Sequence, residues 1–287
     1  MAKIIILGAS GFLGTALLNK LQNDSFEIIT LRHKHSTNHK NSFKGDITTE
    51  GILDNIISDN DIVINLIGQY SSNHLDFLDQ NLKGGYNLMK SASKKKNIRI
   101  ILISSITVYG NNMDSPSKET DNPRPSSEYA NIKLLTENLY KFYAKQNTID
   151  TTILRLSNIY GPTQKSGIIF NCIKSLKDNI PLEISDSGNQ IRDFIYIDDA
   201  VDGIISSIKY PLSGFNILNI STGIGTKILD VIENIEEISN KKIQIKSIPN
   251  SSKEKYIWAE SSYAKKKYNF KFKIKIIQGL HNILMMK

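Results

Sequence analysis

The stretch KIIILGASGFLG near the start of the chain restricts the fold more than any other segment. IIIL (4–7) is a continuous apolar run that ends in glycine, which predicts a strand buried on both faces. TALLNKLQND (15–24) then carries its leucines at helical spacing. Glycines at 8, 11 and 14 lie between the two elements, so the sequence predicts a tight turn from a strand into a helix.

Such a turn can bind the pyrophosphate of a dinucleotide. A backbone without Cβ can approach phosphates closely, and the helix N-terminus supplies amide donors and a favourable dipole. The alternative is a tight turn without a ligand, but glycines placed between a strand and a helix favour the dinucleotide. The residues predicted to contact it are Gly8, Ser10, Gly11, Phe12, Leu13 and Gly14.

Strands and helices alternate through the first half of the chain. Strands are predicted at 27–31, 61–68 and 99–104, and helical stretches at 51–58 and 76–96. This alternation predicts an α/β fold with a doubly wound, mostly parallel sheet of the Rossmann type.

The pattern loosens beyond residue 160, which indicates a second, smaller unit. We expect residues 1–160, with about 188–221, to form the dinucleotide-binding Rossmann domain. Residues 161–187 and 222–287 are expected to form a C-terminal substrate-binding lobe.

Composition excludes several classes of protein. The 287 residues contain no run near the roughly 20 apolar residues that span a bilayer, and the first ten are too short for a signal peptide, so we expect a cytoplasmic protein without a membrane partner. The single cysteine, Cys172, excludes an internal disulfide and argues against a metal site.

The net charge of +8, from 36 basic and 28 acidic residues, suits nucleic acid, an acidic surface or a phosphorylated small molecule. Much of the excess lies in 90–96 and 263–275, which solvated faces explain. Lysines interleaved with aromatic residues in 263–275 leave nucleic-acid binding as an alternative. The alternation from Phe270 to Ile276 more simply predicts a half-exposed strand, and we expect no nucleic-acid partner.

The end of the second strand bears on the choice of dinucleotide. A free ribose 2′-hydroxyl usually meets an acidic side chain there, whereas a 2′-phosphate needs cations. The strand ends TLRHKH, so Arg32 and Lys34 favour NADP(H) over NAD(H). The alternative is that these residues lie on a solvated loop and contact no cofactor. Asp46, after a short third strand, is either an acceptor for the adenine amino group or a turn residue.

A serine, a tyrosine and a lysine predict the reactive part of the site. Ser104 and Ser105 end the strand RIILIS, where ligands lie in such sheets. In SEYANIK, Tyr129 and Lys133 are four residues apart and share a helix face. We expect a nearby ammonium, together with a positively charged nicotinamide, to lower the pKa of the phenol from about 10, making Tyr129 a usable proton donor or acceptor.

With these motifs the chain resembles the extended short-chain dehydrogenase/reductases, specifically their nucleotide-sugar epimerase/dehydratase family. The matching segments run along the whole chain: GASGFLG, GDI, NLIG, NLKGG, SSITVYG, YANIK, RLSNIYGP, GNQIRDFIYIDDA and NIST.

The resemblance implies a role for each matching residue. Ser105 would bind the reacting sugar oxygen, Tyr129 would be the acid/base, and Lys133 would hold the nicotinamide ribose. Further cofactor contacts would come from Asp46, Ile47, Leu66, Ile67 and Gly68, and substrate contacts from Thr107, Asn158 and Arg192. An alternative for Arg192 is a salt bridge to Asp193 or Asp198. The resemblance also implies a homodimer formed through helices around 76–96 and 127–145.

Departures from the family narrow the reaction. Similar dehydratases carry Asp-Glu after the serine or threonine, where this chain has Ile106 and Thr107, so no pair for eliminating water is present. Epimerases that use a Cys/His pair are also disfavoured, because Cys172 is remote and only His74 could lie near the substrate.

Two reactions therefore stay open. We expect NADPH-dependent reduction of a nucleotide-linked 4-keto, deoxygenated sugar, with Tyr129 as proton donor. The alternative is a nucleotide-sugar 4-epimerase that keeps its cofactor bound and uses the same Ser105, Tyr129 and Lys133. A dinucleotide-sensing protein without catalysis is a remote alternative. Such a protein is expected to have lost the tyrosine or the lysine, and both are present in this chain.

Overall fold

The structure is a computed structural model that describes residues 3–22, 26–33, 39–68, 74–249 and 254–285. Lys34 lies outside these residues. Among them, no helix combines the length and apolar character needed to cross a membrane.

The strands are numbered in chain order. They are β1 Lys3–Leu7, β2 Glu27–Arg32, β3 Ser42–Lys44, β4 Ile62–Asn65, β5 Arg99–Ser105, β6 Asp150–Leu156, β7 Asn158–Tyr160, β8 Leu182–Ser185, β9 Ile191–Arg192, β10 Phe194–Tyr196, β11 Phe215–Ile220, β12 Thr226–Lys227, β13 Ile245–Ile248 and β14 Tyr256–Ile257.

The α-helices are α1 Phe12–Leu21, α2 His74–Leu78, α3 Gly84–Ala92, α4 Glu128–Asn147, α5 Ile168–Asp178, α6 Ile197–Lys209, α7 Ile228–Ser239, α8 Ser262–Tyr268 and α9 Ile276–Met285. A π-helical segment, Asp79–Lys83, joins α2 to α3, and short 3₁₀ helices cover Ile106–Tyr109 and Asp186–Gly188.

Seven parallel strands form the central sheet in the order β11-β6-β5-β4-β1-β2-β3. The chain runs outward from β1 to β3 and then returns to β4 on the other side of β1. This reversal of strand order is the point at which doubly wound sheets bind ligands. The predicted α/β fold class is confirmed.

Two apolar layers cover the two faces of the sheet. Alternate residues of β1 enter different layers, with Ile4 and Ile6 in one and Ile5 and Leu7 in the other. Leucines of α1 share the first layer, and Leu88 and Tyr140 of the helices α3 and α4 share the second. A strand buried on both faces explains why the run IIIL is uninterrupted by polar residues.

The helix that leads into α3 contains an irregularity. The segments α2, Asp79–Lys83 and α3 follow one another with helical backbone angles at Leu78, Lys83 and Gly84, so they form one helix with a π turn inside. A π turn inserts an extra residue into the helix and often marks a functional site. Asn81 lies within this turn and is buried.

Smaller sheets lie outside the seven-stranded one: β7 pairs with β10, β8 with β13, and β9 with β12 and β14. Strand β9 belongs to 188–221 but pairs with strands from 222–287. The division into a Rossmann domain and a substrate lobe stays a prediction.

Two predicted elements are not formed. Residues 51–57 make successive turns rather than a helix, with Asp54 N donating to Gly51 O (3.0 Å) and Ile56 N to Leu53 O (3.1 Å). These hydrogen bonds join residues three apart, as in a 3₁₀ helix. The turns that they close bury the same apolar residues that an α-helix would.

The strand predicted at 270–276 is replaced by irregular chain up to α9. The buried carboxylate of Asp199 accepts hydrogen bonds from the amides of Lys273 (3.0 Å) and Ile274 (2.9 Å), which occupies backbone donors that a strand would use.

Candidate active site

The glycine turn after β1 forms a cradle at the N-terminus of α1. Gly8 has φ +84°, and Gly11 precedes the helix without any side-chain capping bond. A Cβ at Gly14 would collide with the Gly8 carbonyl and lie 2.7 Å from Ala9 Cα. The first amides of α1 are therefore open to an acceptor, and this backbone fits the pyrophosphate of a dinucleotide.

The end of β2 lies beside the segment after β3. The Arg32 carbonyl accepts from Gly45 N (2.9 Å), and Arg32 is half-buried. The Asp46 carboxylate accepts from Thr48 N (2.9 Å) and lies 3.4 Å from Nε2 of His33. Asp46 thus acts as a turn residue, which was the alternative interpretation, and its contact with adenine stays a prediction.

Residues 66–68 follow β4 and border the glycine turn. A Cβ at Gly8 would lie 3.1 Å from Ile67 N, so the two segments are packed backbone to backbone. Gly68 has φ +131°, a region that favours glycine. Ile47 is buried, and its carbonyl accepts from Asn87 Nδ2 of α3 (2.9 Å).

Ser105 and Tyr129 meet where β5 and α4 approach each other. Ser127 caps α4 by accepting from Ala130 N (3.2 Å), which places Tyr129 in the first turn. The Ser105 hydroxyl hydrogen-bonds Tyr129 and accepts from Oγ1 (3.0 Å) and N (3.2 Å) of Thr107. The Tyr129 ring stacks on Phe77, with centroids 5.5 Å apart and an interplanar angle of 18°.

The groups of the protein alone do not lower the Tyr129 pKa, and its lowering by an ammonium together with a positively charged nicotinamide stays a prediction. Burial raises the pKa of Tyr129 to about 12, the Ser105 hydrogen bond opposes that rise, and the negative charge of Glu254 adds to it. Desolvation disfavours the phenolate here. Burial alone thus favours the protonated phenol.

Lys133 lies one helical turn beyond Tyr129 and is 4% exposed. Its Nζ donates to the Ile103 carbonyl of β5 (3.2 Å). Burial lowers the pKa of Lys133 to about 8, and the charge of Glu137 opposes that change. At neutral pH the lysine is still an ammonium, as the proposed contact with a ribose requires.

Sequence reasoning missed Asn81 as a site residue. A Cβ at Gly68 would collide with Lys133 Nζ and lie 2.7 Å from Asn81 Oδ1, so both polar atoms lie against the same glycine. Asn81 Nδ2 donates to Phe77 O (2.7 Å), while its buried Oδ1 has no hydrogen-bond partner among the described residues. This acceptor fits a hydroxyl of a bound cofactor. The motif NLKGG contained the signal, but the π turn that aims the side chain is not readable from sequence.

Glu254 was also missed. Its charge acts on both Tyr129 and Arg192, so its carboxylate belongs to the region where the tyrosine and the arginine approach each other. It precedes β14 in a segment without a motif, and nothing in the sequence could have identified it.

The predicted substrate residues lie on the short strands β7 and β9. Asn158 is exposed, and its backbone N–H donates to the Asp193 carbonyl (2.9 Å). Arg192 donates to the carbonyls of Ile191 (2.9 Å), Glu254 (2.8 Å) and Lys255 (3.4 Å). Burial lowers the pKa of this guanidinium.

The alternative of a salt bridge from Arg192 to Asp193 does not describe this structure. The buried Asp193 carboxylate accepts instead from Thr222 N (3.1 Å), Thr222 Oγ1 (2.7 Å) and Gly223 N (2.8 Å). Backbone carbonyls thus hold the guanidinium of Arg192.

The remaining candidates for proton transfer are separate from this cluster or occupied. Cys172 is fully buried, and burial raises the pKa of its thiol to about 12. The exposed His74 pairs through Nδ1 with Oε2 of Glu128 at 2.7 Å. Within the described ranges, no group of three or more His, Cys, Asp and Glu side chains could hold a metal ion.

The fold and the cluster of serine, tyrosine and lysine are typical of dinucleotide-dependent oxidoreductases. The sequence profile of the NAD dependent epimerase/dehydratase family matches residues 4–221. The chain therefore belongs to this family of extended short-chain dehydrogenase/reductases, as the sequence predicted.

Relatives are similar over the full length. The UDP-glucuronate 4-epimerase of Thermodesulfobacterium geofontis (strain OPF15) is 29% identical, with 98% of this chain and 94% of that protein covered. UDP-glucuronic acid decarboxylase 3 of Arabidopsis thaliana is 25% identical, with 97% and 86% covered.

Among solved structures, a mutant UDP-glucuronic acid 4-epimerase from Bacillus cereus, in complex with UDP-4-deoxy-4-fluoro-glucuronic acid and NAD, superposes with a TM-score of 0.88. It is 25% identical, and the match covers 98% of this chain and 97% of that one. Since the relatives include an epimerase and a decarboxylase, family membership alone does not select the reaction.

Replacing Gly68 by alanine tests the geometry of the cofactor site. We expect Gly68→Ala to displace Lys133 Nζ and to weaken NAD(P) binding tenfold or more, a loss of about 1.4 kcal/mol. Calorimetric titration of the purified protein measures the affinity. Gly51→Ala is the matched control, because Gly51 also has a positive φ (+75°) but an added Cβ meets only Asp54 Oδ2 at 3.6 Å. Equal losses in both variants would contradict the assignment.

Proposed function

We propose that this protein is a nucleotide-sugar 4-epimerase, which replaces the 4-keto reductase as the favoured reaction. The observation that carries the proposal is the meeting of Ser105, Tyr129 and Lys133 at the end of β5 with no elimination pair beside them. Ile106, where similar dehydratases have an acid, is 1% exposed and packs in an apolar cluster with Val108 and Ile257.

The residues of the cluster divide the work. A bound nicotinamide dinucleotide supplies hydride chemistry. Tyr129, as a phenolate, would accept the proton of the C4 hydroxyl when C4 is oxidised and return it when the opposite face of the 4-keto sugar is reduced. Ser105 hydrogen-bonds the same sugar oxygen. Lys133 would hold the ribose of the cofactor, and its positive charge would stabilise the Tyr129 phenolate that is present before C4 is oxidised and again after the 4-keto sugar is reduced.

Similarity to named relatives supports epimerisation over reduction. The T. geofontis protein, similar over 98% of this chain, is named as a 4-epimerase, and the solved B. cereus relative is a 4-epimerase that holds NAD and a UDP sugar. One tyrosine suffices for both half-reactions, so the cluster needs no further acid or base.

The test is whether C4 epimers of a UDP-hexose interconvert without net consumption of NADPH or NADH. We expect the purified protein to do this and Tyr129→Phe to lower the rate about a hundredfold or more while still binding cofactor. Chromatography of the sugar nucleotides measures the reaction. Tyr210→Phe, at an exposed position, is the control. Stoichiometric oxidation of NADPH by a 4-keto sugar nucleotide, without epimerisation, would favour the reductase.

We also propose that the cofactor is NADP(H) rather than NAD(H), although the solved B. cereus relative contains NAD. Arg32 ends β2, where the ribose 2′ position lies in such folds. A cofactor that stays bound through the cycle serves epimerisation in either form. Contacts with Asp46, Ile47 and Leu66 accompany this assignment.

Arg32→Ala should weaken NADP(H) tenfold or more and leave the NAD(H) affinity within twofold, because only the 2′-phosphate uses the guanidinium. Titration with each dinucleotide gives the ratio of affinities. Lys177→Ala removes an exposed cation of α5 and should change neither. A wild-type preference for NAD(H) would overturn the assignment.

For the substrate, we propose that Thr107, Asn158 and Arg192 contact the nucleotide sugar. The Thr107 hydroxyl already lies 3.0 Å from Ser105 Oγ, which supports a contact with the sugar. Backbone carbonyls hold the guanidinium of Arg192, and a guanidinium suits a diphosphate. Residues 161–187 and 222–287 would enclose it.

A homodimer is the proposed assembly. Large apolar side chains are exposed on α2, α3 and α4, where the resemblance implies a four-helix interface. They are Leu75, Leu78, Tyr86, Leu135 and Phe142. Leu135 and Phe142 lie seven residues apart and therefore on one side of α4.

We expect the native protein to have twice the chain mass of 32.3 kDa, and the double variant Leu135→Glu, Phe142→Glu to have the mass of one chain. Charges at the centre of an apolar interface stay unpaired and oppose association. Light scattering after size exclusion measures the mass. Tyr210→Glu, at another exposed apolar position, should stay dimeric. A monomeric native protein would contradict the proposal.

A further inference from the structure

Helix α4 contacts three consecutive residues of β5 through one of its faces. Residues 129, 133 and 137 are spaced by four, so they lie in a row along the helix. The contacts are Tyr129 with the Ser105 hydroxyl, Lys133 Nζ with the Ile103 carbonyl at 3.2 Å, and Glu137 Oε1 with the Ser104 hydroxyl at 2.5 Å. The first two members of the row belong to the proposed reaction, and the third has no assigned role.

Glu137 is a buried carboxylate with a complete set of partners. It is 2% exposed and accepts from Arg155 Nε (3.1 Å) and Nη2 (2.7 Å) in addition to Ser104. Arg155 is 2% exposed, and its Cζ lies 4.6 Å from the centre of the Tyr109 ring. Buried ion pairs of this kind add little stability compared with apolar residues of equal volume. Stability alone therefore does not explain why the ion pair of Glu137 and Arg155 lies one helical turn beyond Lys133.

The electrostatic setting of Lys133 supplies a reason. Burial lowers the pKa of Lys133 to about 8, and Glu137 is the group that opposes this change. The titratable and charged groups around this face are Tyr129 and Glu137 on α4, Arg155 on β6, Tyr109 after β5, Glu119 beside Tyr109 and Arg155, and Glu254, whose charge acts on Tyr129. Of these, Glu137 is the group whose charge acts on Lys133. Without it, the lysine would lose its proton closer to neutrality.

We propose that Glu137 is a positioning residue for Lys133: it fixes α4 against β5 through Ser104 and Arg155, and its charge keeps the buried lysine in the ammonium form. The inference rests on the proposed contact of Lys133 with the cofactor, and it holds for an epimerase and for a reductase. The ammonium, rather than the neutral amine, is the form that stabilises a phenolate at Tyr129.

The test measures the titration of Lys133 directly. Lysines labelled with ¹³C at Cε are followed by NMR against pH in the full chain, and Lys133→Arg identifies the signal. We expect Glu137→Gln to move the Lys133 midpoint to lower pH by roughly one unit. The alkaline side of the pH–rate profile should move in the same direction. Glu137→Asp keeps the negative charge, so its Lys133 midpoint should stay close to that of the native protein.

Two further variants keep the outcome decisive. Glu137→Gln leaves Arg155 buried without its partner, which destabilises the fold. The paired change Glu137→Gln, Arg155→Gln removes both charges and should also lower the Lys133 midpoint. Thr136→Val disturbs the same buried helix turn without changing charge and should leave the midpoint in place.

An unshifted Lys133 midpoint in a folded variant without Glu137, or an equal shift in Thr136→Val, overturns the proposal. Because the NMR titration needs no substrate, absence of epimerase activity with a shifted midpoint would refute the proposed reaction and leave the role of Glu137 standing.

Discussion

Parallel pairing of β1 with β2 on one side and β4 on the other determines where every candidate site residue lies. The chain after β1 and the chain after β4 leave the sheet at the same edge, and the reversal of strand order opens a crevice between them. Gly8 and residues 66–68 line this crevice at backbone contact distance. Ser105 ends β5, the next strand of the sheet, so the glycine turn and the Ser105 hydroxyl lie at the same edge without any long loop between them.

A single buried side chain connects that edge to the helix that carries the tyrosine and the lysine. Asn65 ends β4 and is 2% exposed. Its Nδ2 donates to the Tyr140 hydroxyl of α4 (2.8 Å), and its Oδ1 accepts from Ile67 N (3.0 Å). The same amide therefore fixes α4 and the segment before Gly68, which explains how Lys133 Nζ comes to lie against a glycine. A longer side chain at position 68 has no space there.

Much of this arrangement could be predicted from sequence because it depends on local spacing. The glycines of the first turn, and the interval between Tyr129 and Lys133, specify geometry within a few residues. The α/β alternation then brings the strand ends together. The motif pointed to Arg192, whose contact with substrate stays a prediction, but its backbone partners at 254–255 are distant in sequence and could not be predicted.

What could not be predicted depends on tertiary burial. The sign of the Tyr129 pKa change is decided by desolvation and by Glu254, neither of which has a local pattern. The turns at 51–57 bury Leu53 and Ile57 as a helix would, so periodicity does not distinguish them. Apolar and lysine residues alternate before α9 as in a strand, but two backbone N–H groups of this stretch donate to the Asp199 carboxylate instead of to a neighbouring strand.

Burial acts on Tyr129 and Lys133 in opposite directions, and both changes oppose charge separation in the site. Lowering the pKa of a lysine from its ordinary value of 10.5 to about 8 corresponds to roughly 3 kcal/mol of lost stability below pH 8. This loss becomes smaller as the pH rises from about 8 toward the pKa of the unfolded chain. A chain selected only for stability would place an apolar residue at position 133. The buried lysine, with a carboxylate one helical turn after it and a tyrosine one turn before it, supports the proposed site, in which Tyr129 takes a proton from the sugar and returns it.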